Sequence, residues 1–185
     1  GETDARKTCQ LVGERLGLSN SSVQPFSTGV IGEFLPMSRL TGAILEASTK
    51  LDSGGWERAA TAIMTTDTRS KIVSSQTNIA GQLITITGIA KGSGMIKPDM
   101  ATMLAFIASD ISIERTLLKK LLAEICDKSF NRITVDGDTS TNDCFMLACT
   151  GAADMPMISS EADQRYEEVK SVFLEQARIL AQSIV

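Results

Sequence analysis

The sequence predicts an α+β fold, and three observations carry that expectation. Helix-like and strand-like stretches come in groups rather than in strict alternation, which points to an α+β sandwich and away from a doubly wound parallel sheet. Two β-rich runs, 70–80 and 82–90, flank Gly81 as the arms of a hairpin would. Aromatic residues make up only 4% of the 185 residues while 43% are hydrophobic, so the core must be built from Ile, Leu, Val, Ala and Met.

The elements follow in order. Residues 4–16 carry Ala5, Cys9, Val12 and Leu16 at helical spacing, and Gly17 is a stop signal. Residues 23–31 read as a strand running into a turn, with Pro25 favouring an edge position. Pro36 suits the first turn of a helix over 37–49, with Leu40, Ile44 and Leu45 facing inward. Gly54-Gly55 breaks the chain before a third helix at 56–64. The hairpin comes next, then a glycine-rich loop, then an apolar strand at 103–108. Residues 112–130 form an amphipathic helix through Ile113, Leu117, Leu121 and Ile125. Short strands are expected at 132–135 and 144–150, joined by a polar turn over 136–143. A last helix covers 160–184. It reaches the final residue without a stop signal, from which the natural chain is expected to continue.

Composition excludes several functions. The net charge is −4 with no basic block, which argues against nucleic acid as the main partner. No apolar run approaches the roughly 20 residues that span a bilayer. The four cysteines, Cys9, Cys126, Cys144 and Cys149, form no CxxC pair and read as reduced, buried thiols; no metal site is expected. Histidine is absent altogether, which excludes Ser-His-Asp and Cys-His catalysis within this chain. Any base must be a carboxylate, a lysine or an α-amino group.

The stretch 91–107, KGSGMIKPDMATMLAFI, is where a nucleophile would be expected, because a glycine-rich loop leads through Ala101-Thr102 into an apolar strand. A threonine becomes a good nucleophile once it begins a chain, since its own α-amine, with an ordinary pKa of about 8, can take the hydroxyl proton. That requires the Ala101-Thr102 bond to be cut, and the small Ala101 side chain leaves its carbonyl open to attack. Ser27-Thr28-Gly29 offers a hydroxyl and a backbone N–H, the equipment of an oxyanion hole, or it is an ordinary turn. Thr65, Thr66, Asp67 and Thr68 form a polar cluster that also suits a capping turn. Lys91, at a strand end beside glycines, could bind a carboxylate or simply be solvated. The 136–143 turn resembles a calcium loop only superficially: Thr141 stands where the sixth-position glycine belongs, and Leu147 where the twelfth-position glutamate belongs. A structural network of Asp and Thr between two strands is the preferred reading there.

Together these stretches resemble the ornithine acetyltransferases, the bifunctional glutamate N-acetyltransferases of arginine biosynthesis. The matching strings are STGVIGEFLP (27–36), TTDT (65–68), AKGSGMIKPDMATMLAF (90–106) and FNRITVDGDTSTND (130–143), in the family's order along essentially the whole chain. The resemblance implies a layered α/β/β/α-type sandwich related to N-terminal-nucleophile folds, with residues 1–185 forming part of a single catalytic domain. It implies self-cleavage between Ala101 and Thr102, then transfer of an acetyl group from N-acetylornithine to glutamate through acetyl-Thr102. Thr28 and Gly29 match the oxyanion-stabilising pair, and Thr65, Lys91 and Thr102 match substrate-binding positions. No cofactor is implied, although some members take acetyl-CoA as donor. The α and β chains are expected to stay associated, as a heterotetramer, in the cytoplasm, with no nucleic-acid or membrane partner. Family members are considerably longer, so the chain reads as a fragment. The competing readings are an N-terminal-nucleophile amidohydrolase or aminopeptidase, with water as acceptor, and a fragment with an incomplete site.

Overall fold

The computed structural model describes residues 1–30, 32–96, 103–138 and 140–185. They divide into two compact units, Gly1–Gly55 and Trp56–Val185.

The first unit is helical. Helix α1 (Glu2–Leu16) has Glu2 and Asp4 in its first turn and Arg15 in its last, the charge order that suits the helix dipole. Gly17 ends it in the left-handed conformation, its N–H bonded to the Gly13 carbonyl. A short 3-10 turn (Asn20–Ser22) follows, and α2 (Met37–Ser48) begins immediately after Pro36. Arg15 Nε donates to Ser48 Oγ at 3.0 Å, linking the two helices. Gly13 is the one buried residue among those described in this unit, and Phe34 is 83% exposed. The strand expected over 23–31 does not form: residues 23–29 are irregular, and Ile31 lies outside the described residues. Pro25 removes a ladder donor, and no described strand of this unit is there to pair with it.

The second unit is α+β, as expected. Helix α3 (Trp56–Ala62) precedes strands β1 (Lys71–Ile79) and β2 (Gln82–Lys91), an antiparallel hairpin closed at Ala80-Gly81. Both turn residues have positive φ, 51° and 86°, the twist that a two-residue hairpin loop needs. Strand β3 (Leu104–Ser109) pairs antiparallel with β2. Helix α4 (Arg115–Lys128) then carries the chain across to β4 (Cys144–Cys149), which lies parallel to β3. A parallel pair demands such a crossover. The sheet order is β1-β2-β3-β4.

Helix α5 (Tyr166–Gln182) packs on this sheet and against α4. Its Val169, Phe173, Ala177 and Leu180 are buried with Ile84, Ile86, Ala90, Ala105, Ile107 and Phe145. By the alternation of strand side chains, Ile84, Ile86, Gly88 and Ala90 share the α5 face of β2, and Ile89 and Lys91 take the opposite face. The strand expected at 132–135 is replaced by a 3-10 turn, Phe130–Arg132, and irregular chain. Arg132 is held back toward α4 by bonds to the Ser129 and Asp127 carbonyls, and Val135 N–H spends itself on Ile96 O at 2.7 Å, so no ladder forms. No helix among the described residues is long and apolar enough to cross a membrane.

Candidate active site

Lys91 is the last residue of β2, and the register sets it beside Leu104 on β3, which in turn faces Cys144 on β4. It is only 1% exposed. A buried ammonium is costly unless other groups compensate it. Compensation comes from three sides. Its Nζ donates to Thr65 Oγ1 at 3.5 Å. The carboxylates of Asp67 and Asp143 act on it through their charge. Burial pulls the Lys91 pKa down, the two carboxylates push it back up, and the neighbouring Lys71 ammonium adds to the lowering.

Asp67 organises the approach to Lys91. Its carboxylate accepts from Lys71 Nζ at 2.5 Å, from the Gly92 N–H at 2.7 Å and from the Thr65 N–H at 3.3 Å. Burial pushes the Asp67 pKa up, but these donors outweigh it and hold the group below the ordinary carboxylate value. One carboxylate thus fixes Thr65 relative to the end of β2. Thr66 Oγ1 and Ser93 Oγ, 2.6 Å apart, tie the same TTDT segment to the glycine-rich loop. Gly92 has φ 154°, a setting that side-chain-bearing residues rarely adopt, and the amide it presents there is the one Asp67 captures.

Two further carboxylates clamp the loop and the start of β3. Asp136 accepts from Met95 N–H at 2.5 Å and Ile96 N–H at 2.9 Å, and these bonds hold its pKa below the ordinary range. Met95 itself sits at φ 56°, an uncommon conformation for a residue with a side chain. Asp143 Oδ1 accepts from Met103 N–H at 2.7 Å. Its Oδ2 is buried and, among the described residues, has no hydrogen-bond partner. Burial pushes the Asp143 carboxyl up to about 6, against the pull of Met103 N–H and Lys91. The 136–143 turn is therefore an aspartate network holding loop and strand, and Asp136 is spent on backbone amides.

The structure brings Thr65 and Lys91, two of the expected substrate-binding residues, within 3.5 Å of each other. Thr28 and Gly29 belong to the first unit, in the irregular chain between the 3-10 turn and α2, Thr28 half-buried and Gly29 exposed. Ala101 and Thr102, the expected cleavage junction and nucleophile, lie outside the described residues. Sequence reasoning missed Lys71, which looks like an ordinary first residue of a strand. It undervalued Asp67 and Asp143, whose polar neighbours made each look like a turn residue. The cysteines are unpromising nucleophiles: burial raises the thiol pKa of Cys126 and Cys144, and that of Cys149 to about 12. A groove of about 750 Å³ along α1, lined among others by Arg6, Lys7, Asn20 and Pro25, contains none of the expected site residues.

Chemically, a buried ammonium beside a hydroxyl, at the mouth of a clamped glycine loop, is equipped to receive an anionic group such as a carboxylate. This defines an α+β protein with a lysine-centred, carboxylate-braced site at the end of a hairpin strand. The chain belongs to the ArgJ family, whose model matches residues 1–185. It is 46% identical over its full length to the arginine biosynthesis bifunctional protein ArgJ of Pseudomonas syringae pv. tomato, covering 46% of that protein. It is 47% identical over its full length to the ArgJ protein of Colwellia psychrerythraea, covering 44% of it. The chain thus spans about half the length of the curated relatives it matches. Among solved structures, the Bacillus halodurans argJ protein aligns with 45% of this chain and 38% of its own, at 34% identity and a TM-score of 0.43.

Proposed function

We propose that this chain is the nucleophile-bearing part of an enzyme that moves an acetyl group from N-acetylornithine to glutamate. The observation that carries the reading is the buried Lys91 ammonium held beside the Thr65 hydroxyl, a ready partner for the carboxylate that both amino acids carry. Membership in the ArgJ family and the absence of histidine from the chain support it.

On this reading Thr102 first attacks the Ala101 carbonyl. Its acyl group shifts from nitrogen to oxygen, and water hydrolyses the ester, leaving an Ala101 carboxylate and a free Thr102 amine. That amine then accepts the hydroxyl proton as Thr102 attacks the acetyl amide of the donor. The proton passes to the departing amine of ornithine, and the acetyl group remains on Thr102 as an ester. The amine of glutamate attacks that ester, and N-acetylglutamate leaves. Thr28 and Gly29 stabilise the oxyanion in both halves. Acyl transfer of this kind uses no redox group or metal, and acetyl-CoA could replace the donor without changing the second half. The two pieces stay associated as a heterotetramer of α and β chains in the cytoplasm.

Intact-mass spectrometry and a transfer assay on the full-length protein test the proposal. Wild type should yield two pieces, one ending at Ala101 and one beginning at Thr102, and should form N-acetylglutamate. Thr102→Ala should stay intact and transfer nothing. Free acetate without N-acetylglutamate would mean that water is the acceptor and would overturn the transferase reading.

A further inference from the structure

Asp143 stands out among the groups this mechanism leaves unused. It immediately precedes β4, as Met103 immediately precedes β3, and the parallel ladder begins one residue on at Leu104 and Cys144. Its Oδ1 is committed to the Met103 amide at 2.7 Å, so the carboxylate is anchored one peptide away from residue 102. Its Oδ2 is buried and has no hydrogen-bond partner among the described residues. A buried carboxylate oxygen without a donor costs stability, and such groups tend to persist where they serve a site. The charge it acts on is the Lys91 ammonium, itself 1% exposed.

We propose that Asp143 is a positioning residue of this site, anchoring the chain at Met103 with one oxygen and serving, with Asp67, as the counter-charge that sets the ionisation and anion affinity of Lys91. The part concerning substrate rests on the function proposed above; the part concerning Lys91 does not. Among the described residues, three further charged or titratable groups act on this pair. Asp67 and Lys71 act on Lys91 from the other side, and the Cys144 thiol adjoins Asp143. Asp67 acts on Lys91 more strongly than Asp143 does, but Asp67 is also paired with Lys71 at 2.5 Å, whereas the cation acting on Asp143 is Lys91.

Two consequences of opposite sign follow. Removing the negative charge makes Lys91 easier to deprotonate, so its titration moves to lower pH. While Lys91 is still protonated, the same change leaves its positive charge less cancelled, so a carboxylate ligand binds more tightly. The first effect measures the interaction of Asp143 with Lys91 and the second its repulsion of a bound carboxylate; a shift of about one pH unit and a change of about tenfold in affinity are each the size of one such charge interaction. A purely structural aspartate would give neither effect.

Asp143→Asn is the informative change, because the amide oxygen can still accept from Met103 N–H and only the charge is lost. In the full-length protein with ¹³C-labelled lysine, the Lys91 side-chain resonance should titrate about one pH unit lower in Asp143→Asn and return toward wild type in Asp143→Glu. At neutral pH, N-acetylornithine should bind about tenfold more tightly to Asp143→Asn. In the wild type alone, N-acetylornithine should bind more tightly as pH falls through about 6, with proton uptake visible by calorimetry in two buffers, so the inference is tested even if the variant does not fold. Equal Lys91 midpoints in wild type and Asp143→Asn, or a wild-type affinity that is flat through that range, would overturn the inference. A shifted midpoint in a protein that neither binds N-acetylornithine nor transfers acetyl would sustain the Lys91 coupling and defeat the proposed function instead.

Discussion

Asp67→Ala should be the most damaging single truncation near the site. It removes one acceptor from three donors: Lys71 Nζ at 2.5 Å, Gly92 N–H at 2.7 Å and Thr65 N–H at 3.3 Å. Lys71 has 5% of its side chain exposed, so its ammonium would be stranded inside the protein next to that of Lys91. Breaking a buried ion pair by deleting one partner costs about 3–5 kcal/mol. The orphaned Gly92 amide belongs to the same network, so its own cost overlaps with that range and is not added to it. For a protein of about this size each kcal/mol moves Tm by about 2–4 °C, which predicts a fall of about 6–20 °C. Urea and thermal unfolding at pH 7 read the loss directly. Adding Lys71→Met removes the stranded charge and should restore most of the stability, giving a large coupling energy in the double-mutant cycle. The pH dependence has a definite sign. The Asp67 carboxyl is held below its ordinary value in the folded state, so its contribution is complete above about pH 4 and disappears as pH falls through the folded value. A Tm change under about 3 °C, or strict additivity of the two substitutions, would refute the idea that Asp67 neutralises Lys71 at this site.

Asp143 should behave in the opposite way. Its carboxyl is raised from 3.8 to about 6 in the folded protein, so wild-type stability falls as pH rises from about 4 through about 6. Asp143→Asn should therefore be more stable than wild type above pH 6, by at most about 3 kcal/mol, and equal to it below about pH 4; parallel unfolding curves across that range would contradict the assignment. Gly88→Ala should destabilise by about 1–3 kcal/mol, since its new methyl would lie 2.8 Å from Leu180 Cδ1 and 2.9 Å from Ile107 Cγ1 in the α5–sheet core; unchanged urea unfolding would show that this core can yield. Loss of transfer in Thr102→Ala, with retained folding by circular dichroism, checks the nucleophile.

What could be read from the sequence is what depends on periodicity. The hairpin announced itself through two β-rich arms about Gly81, and β3, β4, α4 and α5 through runs of apolar residues long enough to fix the period. Residues 23–31 and 132–135 failed for one shared reason. Each has strand-like residues, but a strand exists only where a partner offers a ladder, and partners are decided by tertiary packing. At the site, Lys91 and Thr65 were legible as a cation and a hydroxyl in suggestive settings. The Asp67–Lys71 pair was not, because an aspartate in a TTDT turn and a lysine opening a strand each look ordinary until the fold buries both. The pairing of Asp143 with the amide of Met103 spans forty residues and depends on the β3–β4 register, which no local pattern specifies.

The three aspartates also show how this region can be rigid without being apolar. Asp67 fixes the amide of Gly92, Asp136 those of Met95 and Ile96, and Asp143 that of Met103. Asp67 reaches from the segment before β1, and Asp136 and Asp143 from the two ends of the 136–143 turn; all three hold backbone, so the hold does not depend on the identity of a side chain in the loop. It also does not depend on continuity of the chain between Ile96 and Met103. If the bond before Thr102 is cut, as proposed, the upstream end stays tied to Asp67 and Asp136 and the downstream end to Asp143 and the β3 ladder. Charge-assisted bonds to backbone amides are well suited to that task, since burial strengthens them while leaving loop side chains free for chemistry. Under that proposal a site is better braced from both sides of the cut than packed around it, and Asp67 and Asp136 on one side with Asp143 on the other are placed to brace it.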